Sequence, residues 1–145
     1  DSAPKADTEN VVKDISLSGK HILLCEDNHL NAEIASILLK EKGMTVEWAK
    51  NGSEACRMFE AMPDGFFDAI LMDIRMPIMN GYEASRAIRN SKLSYGRFVP
   101  IIAMTADAFD EDRLHAKQAG MNGYVTKPVD PCKLFFAITE YVSKK

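Results

Sequence analysis

Short apolar runs alternate with amphipathic segments along this chain. Runs without polar interruption are typical of strands buried on both faces of a parallel sheet, because a half-solvated strand would alternate apolar and polar residues. Three runs of this kind predict strands: His21–Cys25, Ala69–Met72 and Val99–Met104. Two further segments without this uninterrupted pattern also predict strands: Thr45–Ala49 and Gly123–Thr126.

The segments between these runs have the apolar spacing of helices. The first carries Leu30, Ile34, Ile37 and Leu38 on one face of an amphipathic helix, which ends before Gly43. Four more helices are predicted around the remaining apolar sets: Ala55, Met58, Phe59 and Met62; Tyr82, Ala84, Ala87 and Ile88; Leu114 and Ala116; Leu134, Phe135, Ile138, Tyr141 and Val142. Five alternating strands and helices predict an α/β fold: a doubly wound, flavodoxin-like parallel sheet of order 2-1-3-4-5 with five flanking helices.

Composition narrows the class of protein. An apolar share of 46% and a charged share of 27% over 145 residues are those of a soluble globular protein. The net charge of −3 disfavours direct nucleic-acid binding, and no apolar run has the length of a membrane span. Residues 1–18 are polar and read as a linker or tail, and residues 19–145 as one domain. The start at Asp1 instead of Met suggests a piece of a longer protein.

The cysteines indicate the compartment. Cys25, Cys56 and Cys132 are odd in number and scattered, which favours reduced core cysteines of a cytoplasmic protein over a disulfide framework or a metal site. Trp48 and the methionines are interpreted as core filling.

Reactive side chains follow the ends of the predicted strands. Glu26 and Asp27 follow the first strand and Asp73 the third, while Thr105 and Lys127 follow the fourth and fifth. Each residue alone has a plainer explanation as a helix cap, a turn residue or a surface charge. In an open parallel sheet, however, the carboxyl ends of the strands form the ligand-binding edge, and strands one and three are neighbours at its switch point. Five such residues at one edge therefore predict a site.

The chemistry of these residue types points to phosphoryl transfer. Three converging carboxylates repel one another, so they either raise a carboxyl pKa or recruit a cation, and oxygen ligands suit Mg²⁺ (or Mn²⁺). Lys127 can neutralise a phosphate, and Thr105 can donate a hydrogen bond to it. Asp73 is left as the nucleophile, since carboxylates form acyl phosphates, with positioning and charge neutralisation supplying most of the catalysis.

Taken together, these segments resemble the receiver domains of two-component response regulators, from roughly Lys20 to Tyr141. The matching segments are residues 22–28 (ILLCEDN), 70–77 (ILMDIRMP) followed by Asn80-Gly81, 102–106 (IAMTA) and 123–128 (GYVTKP).

The resemblance implies a role for each matched residue. Asp73 would accept a phosphoryl group from the phosphohistidine of a histidine kinase or a histidine phosphotransfer domain. Glu26 and Asp27 correspond to the acidic pair that holds Mg²⁺ together with Asp73, and the backbone carbonyl of Arg75 is a further expected ligand. The first acid is Glu where many members have Asp, a variation common in receivers attached to hybrid histidine kinases.

The same resemblance implies a switch and its readout. Thr105 and Tyr124 correspond to the pair that changes conformation on phosphorylation, and Lys127 to the family's invariant lysine, joined to Pro128 by an expected cis bond. The readout surface would comprise the helix after Thr105, the last strand and the last helix, with a possible homodimer through the last helices and no contact with membrane.

Two further positions are expected to tune the lifetime of the phosphoryl group. Arg75 and Asp107 lie two residues after Asp73 and Thr105, respectively, and are expected to pair and shield the site from water. Phe109 is a candidate exposed contact on the readout surface, and an equally supported alternative is that it folds onto the core.

Alternative functions and contexts stay open. The chain could be a receiver-like interaction scaffold, or a flavodoxin-like nucleotide-binding module, although it has neither GxGxxG nor a Walker loop. A receiver catalyses its own phosphorylation and dephosphorylation. The favoured context is the C-terminal receiver of a hybrid sensor histidine kinase, whose parent protein would be a kinase, with a membrane-bound sensor as one form of it. The other context is a stand-alone regulator.

Overall fold

Strands and helices alternate through the whole described chain. The computed structural model describes residues 17–106 and 110–142, and the side chains of residues 110–112 lie outside the description. The strands are β1 His21–Cys25, β2 Thr45–Ala49, β3 Ala69–Asp73, β4 Ile101–Thr105 and β5 Gly123–Thr126. The helices are α1 His29–Glu41, α2 Gly52–Ala61, α3 Gly81–Arg89, α4 Asp110–Gln118 and α5 Pro131–Val142. A short 3₁₀ helix, Ser94–Arg97, precedes β4 and was not predicted from the sequence.

The five strands form one parallel sheet. Its order is β2-β1-β3-β4-β5, which confirms the predicted topology. Every residue of β3 and β4 is buried, as expected for uninterrupted apolar runs in the middle of a two-sided sheet. Because all the strands run in the same direction, their carboxyl ends lie at one edge.

Each face of the sheet carries its own core. Alternate strand residues such as Ile22 and Leu24 pack against α1 and α5, whereas Leu23 and Cys25 belong to the core on the other face, with buried residues of α2, α3 and α4. The end of the predicted linker contributes to the first core, because Leu17 is fully buried there. The prediction of core cysteines is wrong for Cys132, which is exposed.

Helix α1 is present, but of its predicted apolar face only Leu38 packs against the core, where it is partly buried. Leu30, Ile34 and Ile37 are 62%, 47% and 52% exposed, and we call these three residues the outer α1 face. The residues that meet the sheet are Ala32, Ala35 and Leu39. Both sets have helical spacing, so periodicity alone could not separate them. Small alanine side chains allow the helix backbone to approach the sheet closely, which leaves the larger residues outside.

The loop between β3 and α3 is shaped by a close approach. Gly81 begins α3, and its N–H donates to the carbonyl of Ile74 at 2.9 Å. A Cβ atom on Gly81 would collide with the carbonyl oxygen of Asp73. Asn80 caps the helix in a reciprocal capping box with Glu83. The absent side chain therefore lets the start of α3 lie directly against the end of β3.

Ile78, in the same loop, has an unfavourable backbone conformation. Its φ of 70° is in the left-handed region, and its side chain is 82% exposed. Placing a β-branched residue in this region costs about 1–2 kcal/mol of conformational free energy. The side chain is too exposed for its burial to offset that cost.

Replacing Ile78 with Asn is therefore expected to raise the free energy of unfolding by about 1 kcal/mol, because Asn tolerates the left-handed region. Urea unfolding checks this. Phe98→Asn is a matched control, since Phe98 is also exposed but has a φ of −118°, and it should show no such gain. Equal stability of Ile78→Asn and the wild-type chain would contradict the assignment of strain.

None of the described helices combines the length and the apolar character that crossing a bilayer would require.

Candidate functional site

Three carboxylates meet at the carboxyl edge of the sheet. Asp73 is the last residue of β3, and Glu26 and Asp27 follow β1, the strand that pairs with β3. Each of these side chains offers an oxygen within 4.8 Å of the others. The three metal ligands predicted from their side chains are thus brought together. Asp27 is exposed, whereas Glu26 and Asp73 are 2% and 3% exposed.

Lys127 bridges the two buried acids. Its ammonium nitrogen lies 3.0 Å from Glu26 Oε1 and 3.0 Å from Asp73 Oδ2. Burial lowers the pKa of Lys127, but hydrogen bonds to Glu26 and Asp73 outweigh burial, so its pKa is raised overall. Lys127 is therefore a fixed positive charge at the point where strand β5 ends.

The environment of Asp73 disfavours its charged form. The pKa of Asp73 is raised overall from 3.8 to about 7: burial is the largest cause, the hydrogen bond from Lys127 acts in the opposite direction, and the negative charge of Glu26 adds to the effect of burial. The backbone N–H of Arg75 donates to Asp73 Oδ1 at 3.2 Å. One ammonium does not fully balance two buried carboxylates, so the site would accept additional positive charge.

Several backbone contacts fix the position of Glu26. Its own N–H donates to the carbonyl of Ala49 at 3.0 Å, and its carbonyl accepts from the indole N–H of Trp48 at 2.7 Å. The N–H of Asn28 donates to Glu26 Oε2 at 3.1 Å. Interpreting Trp48 as core filling missed this contact. The one signal in the sequence was that a tryptophan N–H usually requires a partner.

The donor set fits a hard divalent cation. Mg²⁺ prefers oxygen ligands and commonly takes one or two carboxylates while retaining waters. The ligand atoms of this cluster are carboxylate oxygens, and the carboxylate of Asp27 is exposed. The role of the backbone carbonyl of Arg75 as a further ligand stays a prediction.

The predicted switch residues lie beside the site. Thr105 ends β4 and is 5% exposed, and its carbonyl accepts from the N–H of Lys127 at 2.7 Å. Tyr124 pairs with Ala103, two residues before Thr105, so both side chains face the same side of the sheet. The guanidinium carbon of Arg113, on α4, lies 4.5 Å from the centroid of the Tyr124 ring.

Other predictions around the site have mixed outcomes. The bond between Lys127 and Pro128 is cis, as predicted. Asp107 and Phe109 lie outside the described residues, and so does the predicted pairing of Arg75 with Asp107.

Comparison with protein families identifies the fold's relatives. Residues 22–139 match the model of the response regulator receiver domain. A similar protein is hybrid signal transduction histidine kinase I of Dictyostelium discoideum, 37% identical over 125 residues, which are 85% of this chain and 7% of that protein. Another is probable histidine kinase 5 of Oryza sativa subsp. japonica, 35% identical over 144 residues, covering 87% of this chain and 12% of that protein. The chain thus spans a small part of these relatives.

Solved structures agree with this comparison. The receiver domain of a sensor histidine kinase from Pseudomonas aeruginosa PAO1, with a magnesium ion coordinated in its active-site cleft, is 40% identical, with a TM-score of 0.78 over 87% of this chain and 99% of that one. A receiver domain in a co-crystal with a histidine phosphotransfer protein of Saccharomyces cerevisiae is 32% identical, with a TM-score of 0.78 over 88% of this chain and 91% of that one. The strand-end acids, the bridging lysine and the matched residues together show that the chain belongs to the response regulator receiver domain family.

Proposed function

We propose that Asp73 accepts a phosphoryl group from the phosphohistidine of a histidine kinase or a histidine phosphotransfer domain in a cytoplasmic phosphorelay. The observation that carries this proposal is the buried Asp73 carboxylate, which lies within 4.8 Å of the carboxylates of Glu26 and Asp27 and 3.0 Å from the ammonium of Lys127. A carboxylate oxygen attacks phosphorus, the phosphorus–nitrogen bond breaks, and the leaving imidazole retains the bonding electrons and takes a proton. The product is an acyl phosphate on Asp73.

The surrounding residues prepare Asp73 for this reaction. Glu26, Asp27 and Asp73 would hold Mg²⁺ (or Mn²⁺), which supplies positive charge against the phosphoryl oxygens. Lys127 stabilises the ionised carboxylate and then a phosphoryl oxygen. The hydroxyl of Thr105 donates a hydrogen bond to another oxygen. Because the pKa of Asp73 is about 7, nearby positive charge determines how much of the carboxylate is ionised at neutral pH.

Phosphorylation would then change the population of two conformations. In our proposal Thr105 moves toward the phosphoryl group, and Tyr124 rotates into the space that Thr105 leaves. Their common side of the sheet and the contact of Tyr124 with Arg113 support this coupling to α4. Tuning by Arg75 and Asp107 and a homodimer through the last helices stay predictions.

The direct test of this function uses a small phosphodonor. Incubation of the wild-type chain with acetyl phosphate and Mg²⁺ should add one phosphoryl group, detected by intact mass spectrometry and lost on treatment with hydroxylamine. EDTA should prevent the addition. Absence of any adduct at saturating Mg²⁺, with phosphohistidine donors as well as with acetyl phosphate, would refute the proposal.

The outer α1 face is proposed as the surface that the phosphodonor protein contacts. Helix α1 begins two residues after Asp27, so the exposed side chains of Leu30, Ile34 and Ile37 start beside the acidic cluster. A donor that brings its phosphohistidine to Asp73 must approach this edge of the sheet. Burying large apolar side chains against an apolar helix of the donor would contribute about 25 cal/mol per Å².

The double variant Ile34→Ser/Ile37→Ser is therefore expected to slow phosphotransfer from a phosphorylated histidine phosphotransfer protein about tenfold, equivalent to about 1.4 kcal/mol. Rapid-quench kinetics measures this rate. Labelling by acetyl phosphate should be unchanged, because a small donor needs no docking surface. Phe136→Ser, which removes an exposed apolar side chain from α5, is the matched control. Equal slowing by both variants, or slowing with acetyl phosphate, would rule out a docking role.

A further inference from the structure

The indole of Trp48 contacts residues on both sides of Asp27. Its N–H donates to the carbonyl of Glu26 at 2.7 Å, and its ring meets the imidazole of His29 edge-on, with the ring centroids 5.2 Å apart. Trp48 is the only tryptophan in the sequence. No step of the proposed phosphoryl transfer involves Trp48, so its position beside the acidic pair has a separate explanation.

The hydrogen bond from Trp48 extends the link between β1 and β2 beyond their last paired residues. The β1–β2 ladder ends with the pair Cys25 and Ala49, and the N–H of Glu26 still donates to the carbonyl of Ala49. The Glu26 carbonyl receives the indole N–H. Both backbone polar groups of Glu26 are thereby fixed to β2 or its side chains.

Fixing this backbone restrains the segment from which two of the three carboxylates extend. The Glu26 side chain has further contacts with Lys127 and with the N–H of Asn28. Asp27 is exposed, and the peptide unit that joins its Cα to Glu26 carries the oxygen that accepts from Trp48. Mg²⁺ requires near-octahedral ligand geometry at about 2.0–2.1 Å, so small changes in ligand direction reduce affinity.

We infer that Trp48 is a positioning residue for the divalent cation: its indole N–H fixes the Glu26–Asp27 peptide and so raises the affinity of the acidic cluster for Mg²⁺. This inference rests on the proposed function, because it assumes that the cluster binds the ion. Groups that orient metal ligands typically change metal affinity by about 10- to 100-fold when they are removed.

Packing alone is the competing role for Trp48. The ring is partly buried against the core that includes α1 and α5, so a smaller side chain also removes apolar contact. The N–H has to be removed without changing the ring. Replacement of Trp48 by 3-benzothienylalanine does this, since sulfur takes the place of the N–H in a ring of nearly the same shape.

The experiment is an Mg²⁺ titration followed by the NMR shifts of the backbone amides of residues 26–28. We expect the benzothienyl chain and Trp48→Phe to raise the Kd for Mg²⁺ about tenfold. At saturating Mg²⁺, labelling of Asp73 by acetyl phosphate should reach the wild-type rate, because the chemistry does not use the indole. Phe98→Leu, a change to an exposed aromatic residue before β4, should leave the Kd unchanged.

The outcomes separate the inference from the function on which it rests. An unchanged Kd in the benzothienyl chain overturns the positioning role even if Trp48→Phe binds weakly, because packing would then explain the loss. A reduced rate at saturating Mg²⁺ with an unchanged Kd overturns it too. Failure of the wild-type chain to bind Mg²⁺ overturns the proposed function together with this inference. Circular dichroism identifies a variant that does not fold. If Trp48→Phe does not fold, the benzothienyl chain alone decides the test.

Discussion

Asp73→Asn should abolish phosphoryl incorporation and also stabilise the fold. The first effect follows from loss of the nucleophile, since an amide does not form an acyl phosphate. The second follows from the pKa of Asp73, which is raised to about 7 because burial and the charge of Glu26 together outweigh the hydrogen bond from Lys127. A raised carboxyl pKa means that the folded state favours the neutral form, and Asn is neutral at every pH.

The gain in stability has a defined pH dependence. The unfolded chain releases the Asp73 proton near 3.8 and the folded chain near 7, so the favourable contribution of the neutral carboxyl is complete below pH 3.8 and is lost as the pH rises through 7. The full shift corresponds to about 4 kcal/mol, and loss of a partner for Lys127 offsets part of this. We expect Asp73→Asn to be more stable by roughly 2 kcal/mol at pH 8 and equal to wild type near pH 3.5.

Urea unfolding in EDTA at both pH values measures the difference. Asp68→Asn is the matched control, because Asp68 lies before β3, where its carboxylate accepts from the N–H of His21 at 2.8 Å. It should lose stability and retain labelling by acetyl phosphate. A destabilised Asp73→Asn chain at pH 8 would contradict the direction of the pKa shift, and a phosphorylated one would contradict the assignment of the nucleophile.

Lys127→Met is expected to have the opposite effect on stability and a comparable effect on the reaction. Removing the ammonium leaves Glu26 and Asp73 without their shared partner, which should lower the free energy of unfolding by roughly 3 kcal/mol at pH 8 in EDTA. The rate of labelling by acetyl phosphate should fall at least about 100-fold, because the charge that stabilises the transferring group is lost.

A time course of intact mass spectra and a urea titration measure the two effects of Lys127→Met. Lys133→Met, at an exposed position on α5, is the matched control and should change neither quantity. The pKa of Asp73 should rise further in Lys127→Met, because the hydrogen bond and the positive charge of Lys127 both lower it. A labelling rate close to wild type would exclude Lys127 from the reaction.

The sequence predicts the topology and the main site residues because both follow from simple patterns. Uninterrupted apolar runs such as Ala69–Met72 occur where a strand is buried on both faces, and the residue that ends such a run must lie at the edge of the sheet. Asp73, Thr105 and Lys127 were located by this rule, and the structure brings them to the same edge as Glu26 and Asp27.

What the sequence did not predict depends on three-dimensional packing. Two sets of residues on α1 have helical spacing, and only the distance between helix and sheet selects Ala32, Ala35 and Leu39 for the interior. The partner of the Trp48 N–H is set by where the β1–β2 ladder stops. The left-handed backbone conformation of Ile78 could not be predicted from its residue type, because isoleucine is among the residues least suited to that conformation.

The strand order also makes phosphate acceptance a property of the fully folded domain. Glu26 and Lys127 belong to opposite ends of the chain's sheet-forming sequence, and they meet only because β1, β3, β4 and β5 are aligned side by side. Such a parallel sheet depends on contacts between residues distant in sequence, so no hairpin or single βαβ unit can preserve the acidic cluster with its lysine. Local opening of β5 would separate Lys127 from both acids. A truncated, nascent or partly unfolded copy would therefore not accept a phosphoryl group, since it could hold neither the ion nor the phosphoryl group in the correct arrangement.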